Sequence, residues 1–181
     1  MKTPINLFLI LLLIGLNSCS KQDECDNPVD CLPPATHIGA NTAGCLVNGE
    51  VLVPTGGGFN RPTVLLSQYV FHNGRYIFSI SIVDLKSKID RSIHLESKKN
   101  KLINGETYTL SKSTEDSSSA FYFLEGGFVD AFETTDEIIG EFKVTHLDEY
   151  KNIISGTFWF DAINNEGEIV QIREGRFDVR Y

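Results

Sequence analysis

The sequence predicts an all-β fold, an antiparallel β-sandwich, with a lipocalin-like closed β-barrel as the alternative. Three observations lead there. Asn-Gly occurs at Asn48-Gly49, Asn73-Gly74 and Asn104-Gly105. Each pair can supply the positive φ angles that a tight hairpin turn demands, and the first two are flanked by apolar, strand-like runs. From Ala43 onward, short runs of this kind follow one another between turn residues, and no long stretch keeps a helical period. Such a pattern belongs to sandwiches and barrels alike, and periodicity alone does not separate the two.

The turn residues mark out strands at 44–47, 50–53, 63–72, 75–83, 91–96, 106–111, 119–125, 128–134, 138–147, 152–163, 168–173 and 175–181. Gly126-Gly127 reads as a further hairpin turn, and Asn165-Glu166-Gly167 as one with a longer loop. In 152–163, Ile154, Gly156, Phe158, Phe160 and Ala162 share one face, and Ser155, Thr157, Trp159 and Asp161 share the other. The first set is a core stripe. In 175–181, Phe177, Val179 and Tyr181 point inward, and Arg176, Asp178 and Arg180 outward. A slip by one residue in either strand would bury a charge, so the register is firmly specified. Segments 54–62 and 112–118 read as loops.

With 181 residues the chain makes one domain, here placed at 43–181. Sixteen Lys and Arg stand against 24 Asp and Glu, for a net charge of −8. That balance argues against nucleic acid as a partner and against purely electrostatic attachment to an anionic membrane.

Residues 1–18 read as a signal peptide. Lys2 is followed by an almost unbroken apolar run from Ile5 to Leu16, well short of the ~20 residues of a membrane-spanning helix. Leu16-Asn17-Ser18-Cys19 resembles a bacterial lipobox. It predicts that Cys19 is lipidated and that the membrane is a partner through this anchor. The competing reading is a plain secretory signal with an incidental cysteine. Residues 19–42, with Pro28, Pro33 and Pro34, read as a tether whose end can lie against the domain. Its start, Ser20-Lys21-Gln22-Asp23-Glu24, looks like a surface-export signal of Bacteroidota lipoproteins, or else is a plain hydrophilic spacer. The first reading places the domain on the outer membrane, facing outward.

Three cysteines remain after Cys19. Cys25 and Cys31 flank a turn-favouring Asn-Pro and are the expected disulfide, with Cys31–Cys45 the rival pairing. Cys45, in an apolar run, reads as a small buried hydrophobe.

Two segments carry a family resemblance. One is Leu32-Pro33-Pro34-Ala35-Thr36, Gly39-Ala40-Asn41-Thr42 and Gly44-Cys45-Leu46-Val47-Asn48-Gly49. The other is Ile153-Ile154-Ser155-Gly156-Thr157-Phe158 through Phe160, then Gly175-Arg176-Phe177-Asp178-Val179 and Tyr181. Together they resemble an uncharacterised family of Bacteroidota lipoproteins. The resemblance covers both ends of the chain and leaves 55–150 untouched. It implies secretion, lipidation and a β-rich domain, and it implies no catalytic residue. Trp159 departs from it, standing where such proteins have a polar residue.

Motifs for catalysis are missing: no nucleophile elbow, zinc-protease helix, P-loop or dinucleotide fingerprint appears. Gly56-Gly57-Gly58 lacks the strand-to-helix context of a phosphate loop. His37, His72, His94 and His146 are dispersed, and no metal or other cofactor is expected. A carboxylate pair for hydrolysis, Asp161 with Glu168 or Asp178, is conceivable. Cross-strand pairing of these acids with Arg173, Arg176 or Arg180 explains them more simply.

Trp159, the one tryptophan, lies on the face with Thr157 and Asp161. Both readings stay open. Tryptophans are largely buried on average, whereas an exposed one among polar groups suits sugar stacking or partner docking. Thr157, Trp159, Asp161, Arg173 and Arg176 therefore form the candidate ligand face, with Tyr150 as a neighbour. The expected protein is a non-enzymatic binding module for a glycan, peptide or protein. The alternatives are an accessory component of an envelope complex and, third, a carboxylate-based hydrolase.

If the last strand is integral to the sheet, deleting residues 175–181 abolishes cooperative unfolding by urea. A truncated chain that is soluble and unfolds cooperatively would refute this.

Overall fold

The computed structural model describes residues 25–58, 62–99, 101–124 and 131–181. The signal segment 1–18, Cys19, the stretch 20–24 and the Gly126-Gly127 turn lie outside the described residues. The strands are β1 (Thr42–Val47), β2 (Glu50–Leu52), β3 (Leu65–His72), β4 (Arg75–Asp84), β5 (Arg91–Ser97) and β6 (Thr107–Leu110). They continue with β7 (Ser118–Leu124), β8 (Ala131–Glu133), β9 (Gly140–Asp148), β10 (Ile153–Ile163) and β11 (Ile169–Arg180). The expected runs at 168–173 and 175–181 are thus one strand.

The turns behave as their residues require. Asn48 and Gly49 have φ of 49° and 87°, and Asn73 and Gly74 have 50° and 84°. These are the paired positive angles of a two-residue hairpin turn. Gly105 alone of Asn104-Gly105 is positive in φ, at 84°. It leads into β6 and does not close a hairpin. Asn152, at φ 53°, ends the β9–β10 hairpin, whose tip is tied by Asp148 Oδ1 accepting from the amides of Tyr150 and Lys151.

The fold class is all-β. The strands make one mixed sheet in the order β2-β1-β11-β10-β9-β6-β7-β5-β4-β3, with β8 pairing β10 and β7. Among the described residues every strand pair is antiparallel except β6 with β7. The sheet folds over, so strands far apart in this order meet across the core. Phe78 of β4 lies 5.7 Å from the Phe142 ring of β9 and 5.8 Å from Phe177 of β11. Two layers around one apolar core is the arrangement of a sandwich, here made from a single continuous sheet.

Side chains hold the folded-over sheet together at two places. Ser67 of β3 donates to the Arg180 carbonyl of β11 at 2.7 Å. Arg91 of β5 donates to the Val51 carbonyl and Asp84 Oδ2, both at 3.0 Å, and to Glu50 at 3.2 Å. Thr55 adds a hydrogen bond to Asp84. Arg91 therefore ties the β2 edge to the end of β4 and β5, in a largely buried ion pair.

Alternation along β10 and β11 is as the residues predict for Ile154, Phe158, Phe160, Ala162, Phe177 and Val179, all buried. Asp178 and Ser155 are the exceptions among the outward-facing residues, since each is only 1% exposed. The cover is a segment that the sequence places in the tether. Asp178 accepts from the Thr36 hydroxyl, from the amides of Ile38, Gly39 and Ala40, and from the Ser155 hydroxyl, at 2.6–3.1 Å. Residues 36–41 are thereby strapped across β11. Gly39 sits at φ +69°, and a Cβ there would meet Arg180 and Ile153 at 3.0 Å. Upstream of the strap, Cys25 and Cys31 form a disulfide around a short 3-10 helix, Pro28–Cys31, capped by Asn27. Cys45 is a free, buried thiol, and burial pushes its pKa far up.

Burial alone would raise the pKa of Asp178. The hydrogen bonds from Thr36, Ser155, Ala40 and Ile38 outweigh it and hold the carboxyl well below its ordinary value of 3.8. The unfolded chain therefore takes up this proton first. The stabilisation is fully present above about pH 4 and lost as pH falls towards the native pKa. Asp178→Ala strips a buried carboxylate from its donors and is expected to lower the unfolding free energy by ~3 kcal/mol in urea at pH 7. Below pH 4 the variant loses less stability than the wild type with each further step of acid. Equal midpoints for the two chains at pH 7 would show that the strap contributes nothing.

Candidate functional site

The outward face of β6, β9, β10 and β11 is built by alternation. Phe142 and Val144 point into the core from β9, as do Phe158 and Phe160 from β10. Glu141 and Lys143, Thr157 and Trp159 therefore face out. Register lines them up. Thr107, Lys143, Thr157 and Arg176 lie opposite one another across the four strands. Thr109, Glu141 and Trp159 form a second row beside them.

Strict alternation would send Arg173 and Arg176 to opposite faces, since they are three residues apart. A bulge in β11 removes the conflict. The pairing skips a residue between Phe158↔Gly175 and Phe160↔Ile172, and Glu174 takes the left-handed φ of 55°. Both arginines then face outward. The bulge also brings Gly175 beneath Phe158, where a Cβ would lie 2.4 Å from the ring.

Trp159 is 37% exposed and is not a core residue. The Arg173 guanidinium lies over its ring, 5.6 Å from the centroid. Arg173 is itself fixed, by Asp161 at 2.7 Å and by donation to the carbonyls of Phe160 and Ile172 at 3.1 and 2.8 Å. The indole N–H points to Glu141 Oε2 at 3.4 Å. Arg176 donates to the Glu174 carbonyl at 3.2 Å and to its carboxylate at 3.4 Å. These groups line a groove of about 460 Å³, with Lys143, Thr107, and Ala35 of the N-terminal segment on its walls. Three cations, Arg173, Arg176 and Lys143, are balanced by Asp161, Glu174 and Glu141. The groove is polar and near neutral, with hydrogen-bonding groups set around an aromatic ring.

Of the five residues of the candidate face, Thr157, Trp159, Arg173 and Arg176 line the groove together. Asp161 sits behind Arg173 as its partner. Tyr150 is apart, fully exposed at the β9–β10 tip. Glu141 and Lys143 were missed. The alternation in Gly140–Val144 marks them as outward, but only the register places them beside Trp159.

The acids of the conceivable pairs are each engaged by other groups. Asp161 is paired with Arg173. Asp178 lies opposite Ser155, six residues along β10 and so ~20 Å from Asp161. Glu168 accepts from the Asn164 side chain at 2.9 Å in the β10–β11 turn. Of the histidines, His37 and His146 do meet, with rings stacked 5.4 Å apart. No third metal-ligating group joins them among the described residues.

A family model described as a domain of unknown function, DUF6252, matches residues 80–179. The chain belongs to the DUF6252 family. The DUF6252 match runs from within β4 nearly to the end of β11, and so holds every candidate-face residue from Thr157 to Arg176. The strap and β1–β3 lie before it. No curated protein and no solved structure matches the chain.

Gly175→Ala forces the Phe158 ring and β11 apart beneath the groove. It is expected to cost ~2 kcal/mol of stability and to change the near-ultraviolet circular dichroism of Trp159. A variant with an unchanged urea midpoint would show that the ring yields freely.

Proposed function

We propose that this DUF6252 chain is a non-enzymatic, lipid-anchored binding module of the bacterial envelope that holds a saccharide on its Trp159 face. The observation that carries the reading is the half-exposed indole, fixed by Arg173 beside a row of hydrogen-bonding side chains and at the end of a second. A sugar ring offers an apolar C–H face to stack on an aromatic and a rim of hydroxyls that both donate and accept. The groove supplies the matching set: an indole, threonine hydroxyls, arginine and lysine donors, and glutamate acceptors. Its charges balance, which favours an uncharged polyhydroxylated ligand over a strongly anionic or cationic one. Its size falls within the ~300–1,000 Å³ of small-ligand sites.

Asp161 and Glu174 are engaged by Arg173 and Arg176, and Glu141 accepts from the indole N–H, which suits holding a ligand better than transferring protons to it. The apolar run before Cys19, and Cys19 itself, support secretion and lipidation. The charged stretch at Lys21–Glu24 supports an outward-facing position on the outer membrane.

The test is a glycan array probed with the full chain and with Trp159→Ala. The wild type is expected to bind a subset of neutral glycans. The variant should lose at least about tenfold in affinity with a melting temperature close to the wild type. A wild type that binds no glycan and instead co-purifies with an envelope complex would replace this reading with an accessory role. Protease treatment of intact cells adds the location: cleavage of the domain is expected, and protection until the outer membrane is opened would place it on the periplasmic side.

A further inference from the structure

A second pocket lies on the outer face of the other half of the sheet. Alternation sends Ile80 and Ile82, Ile93 and Leu95, Ala120 and Tyr122 into the core. Ser81, His94, Glu96, Phe121 and Phe123 consequently face out. Register sets Ser81, His94, Phe121 and Glu133 in one row across β4, β5, β7 and β8. The Phe121 and Phe123 rings are 5.9 Å apart and nearly parallel, and the His94 ring is 6.2 Å from Phe121. With Ile163 and the Asn164–Asn165 turn, these groups enclose about 480 Å³.

The charged side chains that line this pocket, Glu96 and Glu133, are acidic, beside the neutral amides of Asn164 and Asn165. Glu96 Oε1 already receives the Lys98 ammonium at 2.7 Å, with Ser113 and Ser119 at 2.9 and 3.1 Å. Its Oε2 stands 4.0 Å from His94 Nε2. Glu133 is exposed and forms no ion pair among the described residues. Burial lowers the pKa of His94, and Ser81 hydrogen-bonds its Nδ1 at 2.9 Å. The imidazole is therefore neutral at pH 7 and adds a third ring, not a competing cation. Three rings and the carboxylate of Glu133, with Glu96 already matched by Lys98, make a surface for a positively charged group, because aromatic faces and carboxylates both attract cations. An anion would face Glu133, unpaired among the described residues. A wholly apolar ligand would desolvate Glu133 without a partner.

We propose that this pocket is a seat for an alkylammonium group, carried by a small organic amine or by a lysine side chain. It is separate from the Trp159 groove and does not depend on saccharide binding there.

Calorimetric titration of the full chain tests it with three probes: choline, its uncharged isostere 3,3-dimethylbutan-1-ol, and N-acetyl-lysine methylamide. At least one of the two cations is expected to bind about tenfold more tightly than the uncharged isostere. Preference for choline identifies a small amine as the ligand, and preference for the lysine amide a protein segment. Glu133→Gln, at an exposed position that leaves the fold intact, should weaken the preferred cation about tenfold, whereas Trp159→Ala should leave it unchanged. The proposal is overturned if the isostere binds as well as the cations, if neither cation binds at millimolar concentration, or if Glu133→Gln has no effect.

Discussion

A carboxylate almost wholly removed from water must have its lone pairs filled by the protein, and in Asp178 this requirement organises one whole side of the molecule. Its donors come from two places, Ser155 on the neighbouring strand and the chain from Thr36 to Ala40. Satisfying them fixes where the N-terminal segment crosses β11, and hence where β1 begins its pairing at Thr42↔Asp178. The same crossing lays Ala35 against the groove beside Trp159. A charge on the outward face of a strand thus acts as a structural centre without entering the core.

The second organising device is the bulge at Glu174. One extra residue in β11 shifts the phase of the strand. Val170 and Ile172 before it, and Phe177 and Val179 after it, still all point inward, while Arg173 and Arg176 both point outward. A regular strand could have done neither, since residues an odd number of positions apart fall on opposite faces. The cost is tight packing at Gly175 under Phe158. Close backbone approach of this kind recurs at Gly156, where a Cβ would meet the Lys143 carbonyl and the Phe177 ring.

Much of this was legible in the residues. The Asn-Gly turns and the alternation in β10 follow from local stereochemistry, which sequence records directly. The outward position of Trp159 followed from alternation, but its exposure depended on whether anything covered that face, and alternation says nothing about cover. Asp178 illustrates the same gap with the opposite outcome: it also faces outward, yet it is buried. The register of β9 against β10, which brings Glu141 and Lys143 to the indole, is a long-range property. So is the parallel pairing of β6 with β7, which no hairpin signal could announce. The break expected at residue 174 was a real irregularity, but it is a bulge within one strand and not a gap between two.

The arrangement at Asp178 also has a mechanical side. Tension reaching the domain from its N-terminal side passes the segment packed on β2 and then meets the strap, where several hydrogen bonds converge on one carboxyl group. Their donors, Thr36 to Ala40, precede β1 in the chain, so these bonds stand between that tension and β1. The strap is therefore a clamp, and it shields the β1–β11 ladder behind it from being unzipped by force applied at that end of the chain.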